Sequence, residues 1–105
     1  MMNPVQTKEE LENRLHTHRE AIRHFGVKRL GLFGSFRRNA QSEQSDVDFL
    51  VEFLPGKKTF RNFMGLAFFL EDLLQRKVEL VTPESLSPYM KTAILSEVES
   101  VEAVS

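Results

Sequence analysis

Two stretches decide the fold: Val27-Lys28-Arg29-Leu30-Gly31-Leu32-Phe33-Gly34-Ser35 and, ten residues later, Asp46-Val47-Asp48-Phe49-Leu50-Val51-Glu52-Phe53. Leu30 to Phe33 is nearly all apolar, which suits a strand covered on both faces. Gly34-Ser35 breaks that run. In the second stretch Val47, Phe49, Val51 and Phe53 alternate with Asp48, Leu50 and Glu52, the two-residue period of a strand. Arg37 to Ser45 is polar and reads as a turn and surface loop, with room for one helical turn at its start. Pro55-Gly56 closes the second strand with turn chemistry.

Outside these strands the period changes to that of helices. Thr7 to Phe25 reads as one helix, with Thr7 as cap and Glu10 at the capping-box position. Leu11, Leu15, Ile22 and Phe25 trace one face of it, and Gly26 suits the position just past its end. Thr59 to Gln75 reads as a second long helix, with Phe60, Phe63, Leu66, Ala67, Leu70 and Leu74 on one face. Phe68 and Phe69 fall outside that stripe and are expected under another helix; Met64 with Phe68 is the best candidate for a protein-binding patch. Lys77 to Thr82 reads as a third strand. Ser87-Pro88 opens a last short helix, with Pro at the first position. The tail from Ser96 is acidic and mixed, and no period assigns it. The order predicts one α/β domain over residues 1–105. Its small mixed sheet, of about three to five strands, carries packed helices.

Composition removes several classes of function. There is no cysteine, which excludes disulfides, thiolate zinc sites and cysteine catalysis. Fourteen Lys+Arg against fifteen Asp+Glu leave a net charge of -1, so the broad basic field of a nucleic-acid binder is missing. No apolar run approaches the roughly 20 residues of a membrane span. The first ten residues lack the apolar core of a signal peptide, so the expected compartment is the cytoplasm.

The chemistry lies where the two strands meet the loop. Asp46 and Asp48 are two apart at a strand start, so both carboxylates point the same way, about 7 Å apart along the chain. Paired hard anions suit Mg²⁺ or Mn²⁺ and repel each other without a cation. Gly34-Ser35 follows a buried strand; glycine lets backbone approach a ligand, and backbone N–H groups with a serine hydroxyl suit phosphate. Phosphate beside a divalent metal describes a nucleoside triphosphate site. Arg37, Arg38, Lys57 and Lys58 are candidates to neutralise further phosphate charge. Glu79, within the apolar run Val78 to Val81, is costly there unless it faces solvent or a site. A strand beside Val47–Phe53 would bring Glu79 to the same metals, as a ligand or as the acceptor of a proton. His16, His18 and His24 lack the i,i+4 spacing of a metal pair and read as structural or solvated.

Gly34-Ser35-x10-Asp46-x-Asp48 resembles the signature of the DNA polymerase beta-like nucleotidyltransferase superfamily. Over about residues 5–100 the chain resembles its smallest members, the minimal nucleotidyltransferases. Leu32 to Arg38 is similar to their first motif, Ser45 to Phe53 to their second, and Lys77 to Thr82 to their third strand. Two positions depart from the usual pattern. Glu79 stands where aspartate is usual, and Asn39 where glycine is common; asparagine tolerates left-handed backbone. The resemblance implies Asp46, Asp48 and Glu79 as catalytic and metal-holding residues, and Gly34, Ser35 and Arg38 as nucleotide-binding residues. It also implies an antitoxin that transfers AMP from ATP to a tyrosine of a partner HEPN-domain ribonuclease toxin. The alternative is a catalytically silent antitoxin that neutralises the toxin by binding alone.

Overall fold

The computed structural model describes residues 3–101. Its elements run α1 (Lys8–Thr17), α2 (Arg19–Arg23), β1 (Val27–Phe33), α3 (Gly34–Arg37), β2 (Val47–Phe53), α4 (Phe60–Leu74), β3 (Val78–Val81), a 3-10 turn (Pro83–Ser85), α5 (Pro88–Glu97) and β4 (Glu99–Ser100). The strands form a four-stranded sheet in the order β3-β2-β1-β4. β1 runs antiparallel to both β2 and β4, while β2 and β3 are parallel. The sheet is therefore mixed, as the alternation of helical and strand periods predicts. The parallel pair is joined by α4, the crossover that parallel neighbours require.

The first helical region differs from the sequence reading: it is two helices, with a break at His18. There the backbone leaves helical geometry, at φ -110 and ψ 22. Side chains take over carbonyls around the break: the His18 ring meets Arg14 O at 3.0 Å, and Arg19 Nη1 donates to His16 O at 2.9 Å. Such local side-chain bonds compete with the helical ladder. The apolar face survives the break, because Leu11, Leu15 and Ile22 are all fully buried. The caps at Thr7 and Ser87 form as expected, but the Glu10 carboxylate pairs with Arg14 at 3.1 Å rather than turning back to the cap. Thr7 Oγ1 accepts from Glu10 N, and Ser87 Oγ accepts from Met90 N ahead of Pro88. Gly26 turns the chain into β1 at φ +82, where a side chain would be strained.

One core gathers Leu11, Leu15 and Ile22 with Leu66, Leu70, Leu73 and Leu74 of α4 and Leu30, Leu32, Val47, Phe49 and Val51 of the strands. Each such fully buried side chain contributes roughly 1.5–3 kcal/mol relative to exposure. Two aromatic residues depart from expectation. Phe60, at the first turn of α4, overhangs the core edge and is exposed. Phe68 faces outward and is exposed as well, while Phe69 packs on Phe25 with ring centroids 5.7 Å apart. Among the described residues, no helix buries Phe68.

Candidate active site

β1 ends at Phe33, which stands opposite Asp48 in the antiparallel ladder. The next residue, Gly34, starts α3 at φ +77. That conformation alone favours glycine. The space around it does too, since a Cβ on Gly34 would lie 2.9 Å from Asp48 Cγ and closer still to its Oδ2. The glycine–serine turn and the Asp48 carboxylate are thus in direct contact. Asn39 ends the turn at φ 58, the left-handed conformation expected of it.

The parallel ladder places Glu79 of β3 directly opposite Asp48. Directly opposed residues share a sheet face. Asp46, just ahead of β2, lies near enough to act on the Asp48 charge. Asp48 is half-buried, whereas Asp46 and Glu79 are exposed. Partial burial pushes the Asp48 carboxyl up to about 6, helped next by the negative charges of Glu79 and Asp46 and then of Glu97; Arg38 acts in the opposite direction. A carboxylate crowded by carboxylates is an oxygen-donor set short of positive charge. It fits a hard divalent cation. Among the described residues, however, no three His, Asp or Glu side chains close into a ready metal cage. Asp46, Asp48 and Glu79 share one rim without converging on a point.

The candidate phosphate ligands separate into two groups. Arg37 and Arg38 follow the turn, and Arg38 lies near enough to act on the Asp48 charge. Both are ion-paired: Arg38 Nη1 meets Glu97 Oε1, and Arg37 Nε lies 3.3 Å from Glu99 Oε2. Lys57 and Lys58 are not brought to the site. Lys57 packs on Gly26, before β1, and Lys58 pairs with Glu84. The seven-residue β1 separates Gly26 from Gly34, a span of about 25 Å. A hollow of about 390 Å³ along α1, lined by Glu10, Asn13, Arg14 and His18 among others, contains none of the rim carboxylates.

Residues 15–101 match the model of the nucleotidyltransferase domain family. The chain belongs to that family. Its relatives include the protein adenylyltransferase MntA of Thermococcus cleftensis, 40% identical over 95 residues that make up 88% of this chain and 93% of that one. A solved structure described as a candidate minimal nucleotidyltransferase superposes with a TM-score of 0.80 at 30% identity, covering 92% of this chain and 98% of that one. A chain from the solved complex of tri-AMPylated Shewanella oneidensis HEPN toxin with MNT antitoxin superposes at 0.64 and 19% identity, covering 90% and 71%. That last likeness is one of fold.

Two residues of this nucleotidyltransferase domain escape a sequence reading. Arg76 is buried at 9% exposure and donates to Val5 O at 2.6 Å, Ser42 O at 2.9 Å and Ser45 O at 2.8 Å, with a longer bond to Glu43 O. Its guanidinium also stacks 4.9 Å from the Phe36 ring centre. Arg76 thereby ties the turn carrying Ser35 to the loop that delivers Asp46. An arginine between a helix and a strand gives no periodic signal of burial. Glu97 closes α5 and stands over Arg38; it lies in the tail whose pattern assigns nothing.

Proposed function

We propose that this chain is a metal-dependent protein adenylyltransferase that moves AMP from ATP to a hydroxyl, a tyrosine in particular, of a partner HEPN-domain toxin, and so serves as its antitoxin. The observation that carries this reading is the contact between the Gly34 turn and Asp48, beside Asp46 and Glu79. The name of the Thermococcus relative supports adenylylation of a protein. The folds shared with MNT antitoxins in complex with HEPN toxin, and with a toxin–antitoxin complex solved with AMP-PNP, support the partner and ATP.

Asp46 and Asp48 would hold Mg²⁺ or Mn²⁺, with Glu79 as third oxygen donor; when bound, the cation supplies neutralisation of phosphate charge. The Gly34–Ser35 turn grips the β and γ phosphates through backbone N–H groups and the Ser35 hydroxyl. Arg38 adds positive charge beside them. The acceptor oxygen attacks the α-phosphorus, and the bond to the α–β bridging oxygen breaks. Pyrophosphate leaves with the electron pair, the hydroxyl proton is released to water, and AMP stays on the acceptor. Little covalent chemistry falls to the protein, so positioning and charge account for the rate. A reaction that consumes ATP belongs in the cytoplasm, where ATP is.

The test is the intact mass of a HEPN-domain partner co-expressed with this chain. The partner is expected to gain one or more adenylyl groups, and Asp46→Asn with Asp48→Asn is expected to abolish the gain while binding persists. If the partner stays unmodified and the double variant still neutralises it, neutralisation is by binding alone.

A further inference from the structure

The two arginines after the phosphate turn are not free. The last turn of α5 and the start of β4 supply a carboxylate to each. Arg38 pairs with Glu97, and Arg37 with Glu99, which Lys8 shares at 2.9 Å. Arg37 Nε also donates to the Glu97 carbonyl at 3.0 Å. This segment is held to the sheet: Glu99 pairs with Leu32 in the β1–β4 ladder, and Val101 N donates to Leu30 O at 2.8 Å. Glu97 is therefore delivered to Arg38 by the fold.

Glu97 is not placed there to help its own helix. It is the last residue of α5, where the helix dipole disfavours a negative charge. Its carboxylate meets the Arg38 guanidinium instead. The Arg38 side chain is more than half exposed, so an incoming anion has access to it; with Arg37 it also lines an open polar cleft of about 830 Å³ shared with Lys8 and the carboxylates of Glu9, Glu12 and Glu99.

We infer that Glu97 is a positioning residue that occupies Arg38 in place of a nucleotide phosphate and must yield it when ATP binds. The carboxylate holds the guanidinium extended beside the turn and competes with the triphosphate for it. Glu97 thus sets nucleotide affinity through Arg38, without touching the reacting atoms. The inference rests on the nucleotidyltransferase reading and deepens it, by naming the group that tunes that site's affinity for nucleotide.

The experiment is calorimetric titration of the full chain with AMP-PNP and Mg²⁺, on wild type, Glu97→Gln, Arg38→Gln and the double variant. Exposed ion pairs are worth roughly 0.2–1 kcal/mol, so removing the competitor is expected to tighten AMP-PNP binding about 1.5- to 5-fold. Arg38→Gln is expected to weaken binding and to erase the gain from Glu97→Gln. In turnover, KM for ATP falls in Glu97→Gln while kcat holds or drops. A mere staple between α5 and α3 predicts the opposite: a lower Tm and equal or weaker binding. Glu97→Asp, which keeps the charge, is expected to gain less than Glu97→Gln. Binding by Glu97→Gln that equals or falls below wild type overturns the inference, as does a gain that persists without Arg38. If wild type itself fails to bind AMP-PNP, the nucleotide reading beneath it falls and the inference with it.

Discussion

Gly34 and Asp48 touch: the space where a Cβ of residue 34 would project is filled by the Asp48 carboxylate. The turn proposed to receive phosphate and the strand that carries Asp48 are therefore one unit, with no side chain between them. Gly34→Ala must accept left-handed backbone, at about 1–2 kcal/mol, and must push Asp48 aside. We expect a destabilisation of about 1–3 kcal/mol and a loss of adenylyl transfer of about 100-fold or more, because a shift near 1 Å at a reacting centre costs about that much. Urea unfolding and transfer assays check both. Transfer within threefold of wild type would show that the contact is incidental.

The crowding of Asp48 makes the metal-free protein sensitive to pH. Its folded carboxyl titrates near 6, against the ordinary value of 3.8. The native state thus holds that proton more tightly than the unfolded chain. The resulting stability is complete below about pH 4, is lost as pH rises through 6, and stays lost above. A fully buried group would contribute about 3 kcal/mol; for a half-exposed one, solvent screening reduces this to about 1 kcal/mol. Unfolding measured without metal from pH 4.5 to 7.5 should show this decline in wild type relative to Asp48→Asn. A difference between the two proteins that does not vary with pH contradicts it.

Divalent metal should reverse the same penalty. At pH 7.5, Mg²⁺ or Mn²⁺ at ten times its Kd is expected to stabilise the protein by about 1.4 kcal/mol, read as a rise in Tm. At pH 5 protons compete for Asp48 and the rise shrinks. Asp46→Asn with Asp48→Asn should show no metal-dependent rise at either pH. An undiminished rise in that variant would place the cation elsewhere.

The legible parts of this molecule were those with a period or a rigid local requirement. The alternation from Val47 to Phe53, the apolar stripe of Leu11, Leu15 and Ile22, and the caps at Thr7 and Ser87 all translate into the elements observed. So does Asn39, because left-handed backbone selects few residue types. The break at His18 was not legible, since it is made by side chains competing for carbonyls and leaves the apolar face intact. β4 is two residues long and has no room for a period. At the site, the pairing of Asp48 with Glu79 follows from β3 lying beside β2. The capture of Arg38 by Glu97 depends instead on where the far end of the chain returns, which no local pattern encodes.

Glu79 tests how much the third carboxylate matters. It is exposed, so Glu79→Gln should change stability by less than about 0.5 kcal/mol. If it supplies an oxygen donor opposite Asp48, the same change should lower adenylyl transfer by about 10²-fold, the scale of losing one well-placed charge-stabilising group. Glu79→Asp shortens the side chain by one methylene while keeping the carboxylate, and should retain far more activity than Glu79→Gln. Equal activity of the two variants would reduce Glu79 to a solvated strand residue.

Arg76 should prove the most sensitive position outside the carboxylate rim. Its guanidinium satisfies the carbonyls of Val5, Ser42, Glu43 and Ser45 and lies over Phe36, so one side chain holds the N-terminal segment, the loop before Asp46 and the turn after Ser35. Arg76→Met keeps much of the volume but leaves those carbonyls without their donor, at about 1–3 kcal/mol for each that cannot reach water. Arg76→Lys keeps the charge, yet a point ammonium cannot reproduce a planar fork aimed at several acceptors. We expect Arg76→Met to lower stability by about 3–5 kcal/mol and Arg76→Lys by about half of that. Loosening the loop should also expose residues 40–45 to protease before the rest of the chain and weaken metal binding at Asp46. Thermal unfolding, limited proteolysis and the metal-dependent Tm shift read these three effects. If Arg76→Met stays within about 1 kcal/mol of wild type and keeps its metal shift, the loop is held by something other than this arginine.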